Sequence, residues 1–173
     1  MNRDLQNFPI LRTERLTLRK LSKKDYQEIF QLRSDKEINK FLDRKPSKTL
    51  EHSLKFISNI IENESDTLFY WVITKTGEDK LIGTICLFEF SGNLKKCEVG
   101  YELRTDNQGQ GIMIEAVREV LEYAMTTLGI KTINARTHKD NQSSTKLLEK
   151  LNFKKLDVAI ENNSNVVLFR LNF

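Results

Sequence analysis

Little in this sequence announces a membrane, a secretory route or a metal. Cysteine and histidine are scarce, two of each in 173 residues, and they form no Cys/His set for zinc. Cys86 and Cys97 fall on what read as neighbouring strands, so a disulfide is sterically open. Two small, half-buried thiols suit a reducing cytoplasm better. Long apolar runs are also lacking: the longest, residues 68–73, is far short of the roughly 20 that a membrane helix needs. The first seven residues contain no apolar core, which argues against a secretory signal. No Lys/Arg cluster with interleaved aromatics marks a nucleic-acid surface. The formal charge of +4 is spread along the chain, where it helps to attract a polyanion. There is no repeat, linker or low-complexity segment. The expectation is one cytoplasmic domain over residues 1–173, whose 39% hydrophobic and 30% charged composition suits a globular protein with its own core.

Glycine is sparse too, which makes the pair at Gly109 and Gly111 informative. They join a strand-like stretch ending near Arg104 to a long amphipathic helix. In that helix Ile112, Met113, Ala116, Val117, Val120, Leu121, Ala124, Met125 and Leu128 recur on one face until Gly129 stops it. Without Cβ atoms there, ligand can approach the first unpaired helix N–H groups, with the positive end of the helix dipole behind them. Residues 108 to 113 therefore read as a phosphate cradle. A P-loop would need Lys-Ser or Lys-Thr where Ile112-Met113 stand, and a dinucleotide fingerprint would need glycine in place of Ile114. Neither motif is present.

Alternation and turn residues predict strands over 11–21, 69–75, 81–90, 96–104 and 131–137, and a final hairpin of 153–160 and 166–171 across 161–165. Helices are expected after Ser22, from about 49 to 63, over the long amphipathic stretch, and after Asn141. Strands 69–104 form an antiparallel meander, and the crossover through the long helix sets 131–137 parallel to 97–104, so the sheet is mixed.

Three stretches carry a resemblance. Glu98-Val99-Gly100-Tyr101 before the two-glycine loop and Gly111-Ile112-Met113-Ile114-Glu115-Ala116 after it resemble motif A of the GNAT superfamily of N-acetyltransferases, in its RimJ/RimL branch. Asn141-x-x-Ser144 followed by Leu147-Leu148-Glu149-Lys150-Leu151-x-Phe153 resembles motif B, and Thr13-Glu14-Arg15-Leu16-x-Leu18-Arg19 resembles the branch's opening. The resemblance runs over residues 11–173. Asp106 departs from the Gln/Arg usual in motif A, leaving Gln108 as a substitute contact, and Asn152 replaces a glycine. The implied fold is α+β: a mixed, mostly antiparallel sheet of about seven strands with about four helices and a V-shaped gap between the fourth and fifth strands.

The implied activity is transfer of an acetyl group from acetyl-CoA, the cosubstrate, to a primary amine by direct attack in a ternary complex, with no metal. Gln108, Gly109, Gln110, Gly111, Ile112 and Met113 would hold the pyrophosphate. Asn141 and the backbone N–H near Leu103 would hold the pantetheine arm. Glu98, Gly100 and Glu102 share a strand face if the strand is regular, whereas a bulge would change that parity. The resemblance favours Glu98 as the base, with Glu102 next. For both glutamates, a solvated residue or an ion pair is nearly as good a reading. Leu148 stands where many relatives carry the tyrosine acid, so Ser144 inherits that role, with His138 as a further candidate. A plain helix cap is the competing reading for Asn141 and Ser144. Tyr101 and Phe41 read foremost as packing residues. The acceptor is a peptide N-terminal α-amine or a small-molecule amine, and a homodimer is left open. The competing function is a non-catalytic CoA-binding sensor or regulatory module.

Overall fold

A computed structural model describes residues 8–63, 67–158 and 165–173. One eight-stranded sheet runs in the order β1-β2-β3-β4-β5-β6-β8-β7. Its strands are β1 (Leu11–Arg12), β2 (Leu16–Lys20), β3 (Phe69–Lys75), β4 (Gly83–Phe88), β5 (Lys96–Leu103), β6 (Thr132–His138), β7 (Lys154–Leu156) and β8 (Val166–Asn172). Among the described residues five α-helices complete it: α1 (Tyr26–Ser34), α2 (Lys36–Asn39), α3 (Leu50–Glu62), α4 (Ile112–Thr126) and α5 (Gln142–Lys150). Among the described residues only β5 and β6 pair in parallel, as a crossover through α4 requires; every other pairing is antiparallel.

Two elements differ from the sequence expectation. Residues 11–21 form a hairpin: Thr13 N–H donates to the Leu16 carbonyl, and Leu16 N–H donates to Thr13 Oγ1, both at 3.0 Å. The apolar alternation that begins only at Leu16 marks the longer of its two strands. The stretch after Ser34, which reads as irregular, holds the short α2 because Asp35 Oδ1 accepts from the N–H groups of Glu37 and Ile38. Part of the expected last hairpin, including residues 159–164, lies outside the described residues.

The sheet buries both faces. Leu16, Leu18, Trp71, Ile73, Ile85, Leu87, Cys97 and Val99 pack with the α4 stripe of Ala116, Val117, Val120 and Ala124. On the opposite side Val72 and Leu81 pack with Ile29 and Leu32 of α1 and Ile57 of α3. Met125 falls off the stripe at 41% exposure, and Gly129, with φ +67°, ends the segment. Alternation puts the cysteines on opposite faces of the sheet, since Cys86 is the cross-strand partner of Gly100 and Cys97 lies one face over. Both are free, with burial pushing each thiol up to about 12.

Candidate active site

The gap opens where β5 and β6 part. Their register covers Lys96↔Thr132, Cys97↔Ile133 and Glu98↔Asn134 and stops there, while β5 stays paired to β4 without a bulge out to Gly83↔Leu103. Arg104 N–H donates to the Ile82 carbonyl at 2.9 Å, which fixes the antiparallel phase. The backbone groups of residues 98, 100 and 102 therefore face β4, and those of Tyr101 and Leu103 face the gap. This is the edge that the sequence assigns to the pantetheine arm. The Leu103 carbonyl is taken by Gln108 Nε2 at 3.0 Å, which leaves its N–H as the group facing the gap.

The unbroken register puts Glu98, Gly100 and Glu102 on one face, the side covered by α1 and α3. Their environments differ. Glu98 is 5% exposed, with Oε2 lying 3.0 Å from an Arg136 Nη1 that also donates to Glu89 at 3.3 Å. Burial raises its pKa to about 7, Arg136 offsets part of the rise, and Glu89 adds to it. A buried carboxyl that titrates near neutrality is suited to proton exchange. Glu102 fits the ion-pair reading instead. Arg44 donates to both of its oxygens at 2.6 Å, and Arg44 Nε donates to Asn39 Oδ1. Phe41 packs against the His138 ring with centroids 5.3 Å apart. His138 Nδ1 accepts from the Asp140 N–H, so that nitrogen is committed to its own turn.

On the opposite face a hydrogen bond spans the opening. Tyr101 Oη and Ser144 Oγ lie 2.7 Å apart, linking β5 to the first turn of α5. Burial holds the Tyr101 phenol up at about 12, and its bond to Ser144 works against the rise. Asn141 is the cap of α5, its Oδ1 accepting from Ser144 N–H at 3.1 Å, and its Nδ2 is the donor it can offer a ligand. Leu148, in the place of the usual tyrosine, is fully buried.

The cradle has the backbone that its glycines allow. Gly109 and Gly111 have φ of +74° and +75°; a Cβ on Gly109 would meet no atom within 4 Å, and one on Gly111 would have Arg15 Nη2 nearest at 3.5 Å. The space above the loop is therefore open to a ligand. Helical bonding starts at Glu115 N–H, so the amides of Ile112, Met113 and Ile114 lack intrahelical partners. Gln108 N–H is committed to the Thr105 carbonyl, and Gln110 Nε2 to the Asp106 carbonyl, so the free amides begin beyond residue 108. Asp106 is exposed and paired with Arg104.

Arg15 is a feature that the sequence conceals. It holds Glu115 of α4 at 2.6 Å and the Gln110 carbonyl at 3.1 Å, bringing a half-exposed cation to the cradle's rim. Arg136 and Arg44 are equally unannounced, because each finds its carboxylate across a long sequence separation. The cradle, the gap-facing amides and the opening between β5 and β6 together fit a ligand with a phosphate end and an extended arm.

The protein is an acyltransferase of the GNAT class: residues 15–154 match the acetyltransferase (GNAT) domain family, and the chain belongs to it. Enzymes of this family use acetyl-CoA. Among curated proteins, it is 29% identical to the uncharacterized N-acetyltransferase YoaA of Bacillus subtilis over 86% of this chain and 84% of that one. It is 32% identical to the uncharacterized N-acetyltransferase p20 of Bacillus licheniformis over 84% and 82%. In fold it matches the ribosomal-protein-S5-alanine acetyltransferase of Vibrio fischeri, with a TM-score of 0.80 at 22% identity over 95% and 96% of the chains. It also matches RimL, a ribosomal L7/L12 α-N-protein acetyltransferase solved with coenzyme A, with a TM-score of 0.80 at 19% identity over 95% and 98%.

Proposed function

We propose that this protein transfers the acetyl group of acetyl-CoA to a primary amine in a ternary complex, in the cytoplasm. What carries the reading is the division of labour across the β5/β6 opening, with the buried Glu98 carboxyl on one face and the Tyr101–Ser144 hydroxyl pair on the other. Acetyl-CoA, when bound, supplies an activated carbonyl and a thiolate leaving group. The amides of residues 109 to 113 hold its pyrophosphate, the gap-facing N–H groups of Tyr101 and Leu103 hold its arm, and Asn141 Nδ2 adds a donor. Glu98 accepts the proton of the attacking amine. An N-terminal α-amine, whose ordinary pKa is about 7.7–8.0, needs only this modest base. Ser144 passes a proton to the departing sulfur. A hydroxyl is a poor acid alone, and Tyr101 behind it supplies the relay.

Release of free thiol from acetyl-CoA, followed across peptides with free N-termini and small primary amines, tests this. Amine-dependent release is the expected outcome. Acetyl-CoA binding by calorimetry with no thiol release from any amine would identify a CoA-binding sensor, the reading to which the vacant tyrosine position at Leu148 points.

A further inference from the structure

The charges around Glu98 are shared rather than paired. Its Oε2 lies 3.0 Å from Arg136 Nη1, and that same nitrogen donates to Glu89 Oε2 at 3.3 Å, so one guanidinium nitrogen serves two carboxylates. The three groups come from separate elements. Glu98 forms the last register pair of β5 with β6, opposite Asn134, and Arg136 lies two residues further along β6 on the same face, where the strands have parted. Glu89 follows the end of β4 at Phe88, the cross-strand partner of Glu98. Regular alternation would send the Glu89 side chain to the other face of the sheet. Its backbone is left-handed instead, with φ +49°, a costly conformation for a residue other than glycine, and its carboxylate reaches the Arg136 nitrogen beside Glu98.

The other charges nearby do not replace Arg136. Lys96, two residues back on the same strand face, acts on Glu98 more weakly than Arg136 or Glu89. Arg170 of β8 gives its Nε to Asn134 Oδ1 at 3.0 Å. The Cys86 and Cys97 thiols, which feel the Glu98 charge, are held up at about 12 and stay neutral. An undivided ion pair with Arg136 would make Glu98 a weak base, since an opposite charge at hydrogen-bond distance favours the carboxylate over the acid. Dividing that nitrogen weakens the hold, and the charge of Glu89 adds repulsion. From this arrangement we infer that Glu89 is a positioning residue: by drawing Arg136 partly away, it leaves Glu98 able to take the proton of the acceptor amine. The inference rests on the acetyl-transfer reading, with Glu98 as base, and adds a residue that acts through it.

The test follows Glu98 in two ways. A carbon-13 titration of the glutamate carboxyls, with the Glu98 signal assigned by its loss in Glu98→Gln, reads the group without turnover. The pH profile of kcat/KM for amine-dependent thiol release reads it at work, and the titration of the acceptor amine is common to every variant. Glu89→Gln keeps the side-chain length but removes the charge that draws on Arg136. The Glu98 titration and the kinetic inflection near pH 7 should then both move down by about one pH unit. Arg136→Gln removes the cation and keeps a donor, so both should move up by about as much. Circular dichroism and calorimetric binding of acetyl-CoA check that both variants are folded. A merely structural cluster would lose melting temperature in either variant and would not shift the profile in opposite directions. A Glu98 titration that Glu89→Gln leaves in place or raises overturns the inference while leaving acetyl transfer intact. So does a carboxyl that shifts while the kinetic inflection stays. Absence of thiol release with every amine removes the acetyl-transfer reading itself, and this inference with it.

Discussion

At Glu98, burial and charge pull in opposite directions. Burial raises the carboxyl to about 7, and Arg136 limits the rise without reversing it. This has a consequence for stability as well as for catalysis. An unfolded glutamate titrates near 4.5, so between about 4.5 and about 7 the folded protein holds a proton that the unfolded chain has released. The contribution of Glu98 is most favourable below that window and is lost as pH rises through it. Glu98→Gln should accordingly melt higher than wild type at pH 8 and differ little at pH 4, which scanning calorimetry at the two pH values will show. Activity should move the other way, with kcat falling about 10²–10⁴-fold at neutral pH. The inflection that Glu98 gives kcat/KM near pH 7 should vanish in the variant, leaving only the titration of the acceptor amine, about 7.7–8.0 for an α-amine. A variant that keeps wild-type kcat and its pH profile shows that the amine arrives already deprotonated and that Glu98 is only a buried strand residue.

At the scale of elements, the junction of β5 and α4 depends on two left-handed glycines and on helix amides left without partners. Gly111→Asp puts a strained non-glycine residue at φ +75°, with a carboxylate aimed at the space assigned to pyrophosphate. Arg15 lies close enough to pair with that carboxylate, so the fold should survive with acetyl-CoA binding lost in a calorimetric titration. Binding at wild-type strength would place the cofactor elsewhere. This junction was legible in the sequence because its signals are local: alternation in 96–104, two glycines, then a helical stripe of apolar residues. The regular strand face of Glu98 and Glu102 was legible only as a conditional, because parity depends on a bulge that sequence does not reveal. The partners of those glutamates were not legible at all. Arg44 reaches Glu102 across 58 residues and Arg136 reaches Glu98 across 38, and no periodicity links such positions. Tyr101 shows the same limit, since packing was its foremost reading and a hydrogen bond in the cleft its alternative, and only the fold names Ser144 as the partner.

Across the whole molecule, the β5/β6 opening divides the sheet into two blocks that share three register pairs and the ion pairs of Arg136 with Glu98 and Glu89, and that are further joined through α4, α5 and the core beneath them. A cofactor with its phosphate end on α4 and its arm along the β5 edge would bridge the blocks where the sheet is weakest. A ligand at 100 times its Kd stabilises the folded state by about 2.7 kcal/mol, which for a chain of this size raises Tm by about 5–11 °C. Saturating acetyl-CoA should produce a shift of that order. The shift alone does not say where the arm lies, because any tight site gives it. Amide exchange does. Tyr101 and Leu103 point their N–H groups into the opening, so a bound arm should slow their exchange while residues 100 and 102, already bonded to β4, change little. A rise in Tm with Tyr101 and Leu103 unprotected would mean that the cradle alone holds the cofactor, leaving the thioester away from Glu98 and Ser144.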